Sequence, residues 1–300
     1  MLDRVSMSVV ALAATSALTF APRDAHAQTT TASMAASETV TPPPPAPTSG
    51  TAIGPDLTLT GNAGLFSDYR FRGFSQTGYK PAFQGGFDLS HSSGFYIGNW
   101  NSNVEQGLYR GASLEMDFYG GYKYTFLEDF TADVGYYYYL YPTKRSISQC
   151  DCTAYLGYAK KAAEGEAYVG LSWKTVSVKY WYATTNYFGL GDSFAGGPEV
   201  DTNGSSYVEI NATYDLGDGW GLLGHYGLQS IHNHGRFVDV NGNPLSKNVG
   251  DYKVGVTKDL SGWVVGLSVV GTTKKAYFGT ATSLEAGGKV RALASVSRTF

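Results

Sequence analysis

Beyond residue 56 the chain alternates apolar and polar positions with a period of two. Leu57, Leu59, Ala63 and Leu65 interleave with Thr58, Thr60 and Asn62, and Leu114, Met116, Phe118, Tyr122 and Tyr124 with Glu115, Asp117, Tyr119 and Lys123. Val208, Ile210, Ala212 and Tyr214 interleave in the same way with Glu209, Asn211, Thr213 and Asp215, and Tyr252, Val254 and Val256 with Lys253, Gly255 and Thr257. Such a period puts the two sets on opposite faces of a strand, and no segment carries the helical period. Twelve strands are predicted, over residues 57–69, 82–90, 95–103, 113–124, 130–141, 166–173, 176–186, 207–215, 219–229, 252–258, 263–270 and 289–299. Most run about nine to twelve residues, the length a tilted strand needs to cross a bilayer.

The connections alternate short and long. Residues 91–94, 126–129, 174–175, 216–218 and 260–262 make short turns; residues 70–81, 104–112, 142–165, 187–206, 230–251 and 271–288 make long loops. Short periplasmic turns and longer outside loops are the habit of bacterial outer-membrane barrels. The expected fold is therefore all-β, a transmembrane antiparallel up-and-down barrel of about twelve strands. Alternation alone does not say which face meets lipid, since a soluble barrel would invert the same pattern.

Composition supports the membrane reading. Charged residues reach only 16%, against about a quarter in a typical soluble domain. There are 23 tyrosines and 38 glycines, which suits a sheet with aromatics at lipid interfaces. The net charge of −3 gives no basic footprint for nucleic acid. Residues 1–27 read as a cleaved export signal: Arg4 begins it, an apolar stretch follows from Met7 to Ala21, and Ala25-His26-Ala27 is a small-x-small cleavage site. Residues 28–55 are rich in Thr, Ala and Pro, cannot bury a core, and are expected to form a disordered periplasmic tether. The barrel would occupy residues 56–300 of the bacterial outer membrane, with outer-membrane lipids around it and the barrel assembly machinery as its partner during biogenesis. Phe300, an aromatic closing the last strand, is the candidate assembly signal, although Arg298 stands where an apolar residue would be usual.

Several segments carry a family resemblance. Residues 61–77 read Gly-Asn-Ala-Gly-Leu-Phe-Ser-Asp-Tyr-Arg-Phe-Arg-Gly-Phe-Ser-Gln-Thr; Lys80 to Asp88, Gly94 to Trp100, Asp133 to Tyr139 and Val296 to Phe300 add to it. These segments resemble the TorF family of porin-like proteins over nearly all of the chain after Pro55. The resemblance implies an outer-membrane barrel with a porin-like role. It supplies no catalytic residue, no cofactor and no named solute.

Alternation assigns to the lumen Asp68, Arg70, Asp88, Glu115, Asp117, Lys123, Asp133, Tyr137, Tyr139, Glu166, Lys179, Trp181, Glu209, Asp215, Lys253 and Arg291. These are the candidate pore-lining residues. Acids slightly outnumber bases among them, which points to weak cation preference, because charged rings set ion selectivity; a network of ion pairs filling the barrel is the competing reading. Twelve tilted strands give a backbone diameter of about 24 Å and a bore of up to roughly 14 Å unless a loop folds inward. Cys150 and Cys152 share a long outside loop in an oxidising compartment and are a disulfide candidate. His232 and His234 could share a metal only if extended, and no metal site is assigned. His225 faces the lumen, but no nucleophile motif accompanies it, so no catalytic residue is assigned. The leading function is passive diffusion of small hydrophilic solutes; the alternatives are a structural or adhesive barrel with a plugged lumen and partner-binding outside loops and, behind both, a membrane-embedded hydrolase centred on His225.

Overall fold

The computed structural model describes residues 50–109, 111–142, 163–189, 200–236, 246–274 and 285–300. Among them twelve long antiparallel strands close into one barrel. In chain order these are β2 (Leu57–Phe66), β5 (Ala82–His91), β6 (Phe95–Asn103), β7 (Leu114–Phe126), β8 (Phe130–Leu140), β9 (Glu164–Trp173), β10 (Val176–Ala183), β11 (Ser206–Gly217), β12 (Trp220–Ser230), β13 (Asn248–Leu260), β14 (Trp263–Thr272) and β15 (Arg291–Thr299). Three two-residue strands, β1 (Thr51–Ala52), β3 (Arg70–Phe71) and β4 (Phe74–Ser75), complete the set. Each long strand pairs with its neighbours in sequence, and β2 closes the ring by pairing with both β5 and β15.

Tight turns follow alternate strands, and their residues adopt the left-handed conformation that primed hairpin turns require. Lys174 (φ 50°), Asp218 (52°) and Ser261 (57°) all do so. Leu127 (47°) and Glu128 (63°) do so without any glycine at the β7–β8 turn.

Side-chain burial settles what alternation left open. The outward set is exposed and apolar: Ile97, Val169, Leu171, Val178, Ile210, Leu222, Val254, Val265 and Leu267 all face away from the barrel. The inward set is buried and polar: Glu115, Asp117, Glu166 and Arg70 are 0% exposed. A soluble barrel has its apolar set inside; this one is inverted, as lipid demands. Aromatics flank the aliphatic band on both sides. At the turn end Tyr124, Phe126, Phe130 and Trp173 stack in series at 5.8–6.1 Å, joined by Trp220 and Trp263 on the outer face. At the loop end the outer face carries Tyr136, Tyr138, Tyr182 and Tyr226. Lys174, Lys258 and Arg298 lie over the rings of Trp173, Trp220 and Trp263 at 5.4, 4.9 and 5.4 Å. Arg298, which sat oddly in the sequence, is thus a snorkelling cation on an interfacial tryptophan.

The seam between β15 and β2 is shorter than the others. Five residues of β2, Asn62 to Phe66, pair with Thr299 to Ser295. Gly61 and Phe300 then exchange both backbone hydrogen bonds, at 2.7 and 2.9 Å. Beyond them Thr51 and Ala52 pair with Leu59 and Thr58, so the end of the segment expected to be a tether joins the wall.

The abundance of tyrosine and glycine has a structural reason. Tyr168 lies over Gly135, Tyr119 over Gly98 and Tyr96 over Gly121, each on the adjacent strand, where a Cβ would strike the ring. Glycine gives up side-chain packing in a strand, and a neighbouring aromatic laid across it restores the covered surface.

Candidate functional site

The candidate site is the lumen. Its loop-end half is filled by the segment between β2 and β5. The expected strand 57–69 stops at Phe66, because Asp68 turns inward and gathers three donors: Arg70 Nε at 2.6 Å, Ser75 Oγ at 2.6 Å and Thr77 Oγ1 at 2.9 Å. β3 and β4 then form a minimal hairpin, Arg70 opposite Ser75 and Phe71 opposite Phe74. Its two turn residues, Arg72 (φ 46°) and Gly73 (φ 79°), are both left-handed, the geometry of a type I′ turn.

This hairpin crosses the barrel. On one side Tyr69 packs edge-on to Trp100 of β6 and donates to Glu115 Oε1 of β7 at 3.2 Å. At the tip Arg72 donates both Nη2 bonds to Glu166 of β9, at 2.6 and 2.9 Å, and Nη1 to Gln229 Oε1 of β12 at 2.5 Å. Its guanidinium lies 4.2 Å from the centre of the Tyr207 ring of β11. A side chain at Gly73 would collide with Thr272 and Asp251, so the tip also touches β13 and β14. The expected clear bore is therefore absent at this level. Tyr109, Tyr141, Tyr187 and Phe188 pack around the hairpin as an aromatic collar; Tyr109 and Tyr141 stack at 4.0 Å, and Phe71 and Phe188 meet edge-on at 5.2 Å.

Below the hairpin the inward residues form paired networks. Tyr137 stacks on Tyr119 at 4.9 Å and meets Tyr139 at 4.7 Å and Trp181 at 6.0 Å. Lys179 donates to Asp133 at 3.0 Å and sits 3.9 Å over the Tyr168 ring. Tyr96 donates to the other Asp133 oxygen at 2.6 Å and touches the Tyr168 hydroxyl. Tyr119 donates to Asp88 at 2.7 Å, Tyr137 to Asp117 at 3.0 Å and Trp181 to Glu209 at 2.8 Å. His225 Nε2 faces Asp251 at 2.8 Å and the Tyr207 hydroxyl at 3.1 Å, while its Nδ1 faces Asn211 at 2.7 Å. Among the described residues both ring nitrogens are engaged by Asp251, Tyr207 and Asn211, so His225 ties β11, β12 and β13 together. The side of the lumen formed by β13–β15 and β2 is lined by smaller residues. A cavity of about 20 Å³ lies there among Phe66, Leu223, Lys253, Thr257, Gly266, Ser268 and Ser295.

Most candidate pore residues are brought together in this interior. Lys123 sits 4.8 Å over the Tyr96 ring, and Lys253 is buried on β13. Two residues belong to the rims instead. Asp215 is exposed and accepts the Gly217 backbone N–H at 2.8 Å, because a bulge ends β11 there. Arg291 is exposed and stacks at 4.6 Å on Tyr79. Burial raises the Tyr79 hydroxyl above its ordinary pKa, with Arg70 and Arg291 acting in the opposite direction. Cys150 and Cys152 lie outside the described residues, as do residues 1–49.

Sequence reasoning passed over Arg72, Glu164, Gln229, Tyr207 and Asp251. Arg72 lay in a presumed outside loop; Phe71-Arg72-Gly73-Phe74, an apolar pair around x-Gly, was the readable signal of a hairpin. Glu164 lay two residues before the expected strand. It is 0% exposed and lies on the same inward face of β9 as Glu166.

The family model described as a bacterial protein of unknown function (Gcw_chp) matches residues 50–300. The chain belongs to this family. The match begins at Gly50, so it spans β1 and the whole barrel. No curated protein matches the chain. Among solved structures the chain is similar to the NanC porin, at 10% identity and a TM-score of 0.48, covering 81% of this chain and 98% of that one. It is similar to the KdgM porin at 9% identity and a TM-score of 0.42, with coverage of 81% and 98%. LpxR from Salmonella typhimurium matches at 10% identity and a TM-score of 0.40, with coverage of 80% and 99%.

Proposed function

We propose that this chain is an outer-membrane, porin-like channel for small hydrophilic solutes, with weak cation preference. The observation that carries the reading is the inverted barrel: an aliphatic outer band between two aromatic girdles encloses an interior rich in charged, amide, hydroxyl and tyrosine groups, with an aromatic cluster packed around the hairpin at the loop end. A lumen whose only task was to be filled would be more stable with apolar packing than with buried ion pairs. Acidic residues outnumber basic ones among the buried interior side chains, which supports a preference for cations. The TorF resemblance supports the same reading. Cleavage of residues 1–27 would deliver the chain to the periplasm, and Phe300 would guide its insertion; mass spectrometry of the mature chain and assembly of a Phe300 deletion test these two steps.

Liposome swelling tests the channel. Proteoliposomes holding the folded barrel are expected to swell in small neutral sugars and to swell more slowly as the sugar grows. Swelling no faster than empty liposomes would favour the second reading, a barrel plugged by its own hairpin whose loops bind a partner. The hairpin spanning the loop-end lumen is the observation in favour of that alternative.

A further inference from the structure

We propose that the Asp68–Thr77 segment is a displaceable gate, latched shut by Arg72 on Glu166 and Gln229. This rests on the channel reading and specifies how that channel would be regulated.

The segment blocks the lumen and is buried along its whole length, but the hairpin at its centre is joined to the wall by few groups. The hairpin has two strands of two residues each and forms a sheet of its own, separate from the barrel sheet. Its tip is fixed to the wall by side chains from one residue: the Arg72 guanidinium on Glu166, on Gln229 and on the Tyr207 ring. Its base is fixed by Arg70, through Asp68 and the carbonyls of Gly287 and Lys289 at 2.7 and 3.1 Å. Apolar contact comes from Phe71 against Tyr139 and Phe188 in the hairpin, and at its base from Tyr69, packed on Trp100 and bonded to Glu115; Phe74 is buried as well.

The closed packing is also incompletely satisfied. Arg72 Nε and Arg70 Nη2 are buried without a hydrogen-bond partner. Buried donors and acceptors left unmade count against the state that buries them. An open state that hydrates them offsets part of the loss of the latch, which brings the two states closer in free energy. The exit from the segment suits a swing: Gly78 (φ 61°) and Tyr79 (φ 65°) are consecutive left-handed residues between the hairpin and β5. Swinging the tip away would expose to the lumen a wall made of Glu166, Gln229, Tyr207 and Asp251, all of them able to face water.

The test is single-channel recording on refolded full-length chains carrying Arg72→Ala, Glu166→Gln, both changes together, or a short glycine linker in place of residues 70–75. Heat-modifiable migration establishes in each case that the barrel has folded. The latch predicts that Arg72→Ala and Glu166→Gln each raise the open fraction, by about tenfold for a charge-assisted hydrogen-bond pair. The double variant should open no more than either single one, since each already breaks the same interaction. It also carries no lone buried charge, so an effect of misfolding in Arg72→Ala would vanish in it. Single variants that open as rarely as the native chain, while the linker variant conducts freely, overturn the latch and leave the channel standing. Silence in every variant, including the linker, overturns the channel reading and the latch with it.

Discussion

Individual residues in this barrel are judged against a lumen that is densely filled. Arg72 donates two short bonds to Glu166 at 1% exposure or less, and a buried pair broken from one side leaves an uncompensated charge. Tyrosines occupy the space that glycines vacate. Gly135 sits under the Tyr168 ring, which in turn carries Lys179. Gly135→Val should therefore expel Tyr168 and disturb Asp133 and Lys179 together, lowering stability by about 1–3 kcal/mol as overpacking does. A denaturant titration of folding into lipid vesicles, read by tryptophan fluorescence, measures it; an unchanged midpoint would mean that the tyrosine is not held there. The residues that sequence reasoning reached and those it missed differ in kind. Glu115, Asp117, Lys179 and Glu209 were legible because each stands on a regular strand, where period two assigns the face. Arg72 was not, because a loop has no period, and only three-dimensional closure shows that its loop turns inward.

At the scale of elements, strands and turns answer to separate physics. The outward band of β14 contains Val265, Leu267 and Val269, while Ser268 between them is buried in the lumen. Leu267→Arg near the middle of the band should cost about 2–4 kcal/mol in a bilayer, whereas an arginine nearer the girdles should cost far less. Equal costs at the two depths would argue against the band facing lipid. The β7–β8 turn carries a local strain that the strands absorb: Leu127 and Glu128 are left-handed, and Leu127 is 77% exposed, so it contributes no burial in return. Replacing the pair by Asn-Gly should stabilise the barrel by about 1 kcal/mol. A lower denaturant midpoint for that variant would contradict the assignment of strain. The strand count, order and polarity of ends were readable from alternation and loop lengths. The strand ends were less so: the wall extends to Glu164, Asn248 and Thr272, where polar residues continue a ladder that hydropathy does not mark.

For the molecule as a whole, three features act together: a closed wall, an inverted distribution of polarity, and a hairpin across the loop end. The first two make the chain a transmembrane barrel and give it a polar interior. The third decides how much of that interior is a path. The expected bore of roughly 14 Å assumed that no loop enters, and the hairpin removes it at the loop end while leaving smaller side chains, serines and glycines among them, along β13–β15 nearer the turns. A channel built this way should rest closed and open in discrete events, with the acid-rich lumen setting its selectivity. The most direct measurement is planar-bilayer recording of the refolded native chain under a salt gradient. Infrequent, discrete openings are expected, with a reversal potential on the cation-selective side. A heat-modifiable, correctly folded barrel that never conducts, even with residues 70–75 replaced by a linker, would contradict this expectation.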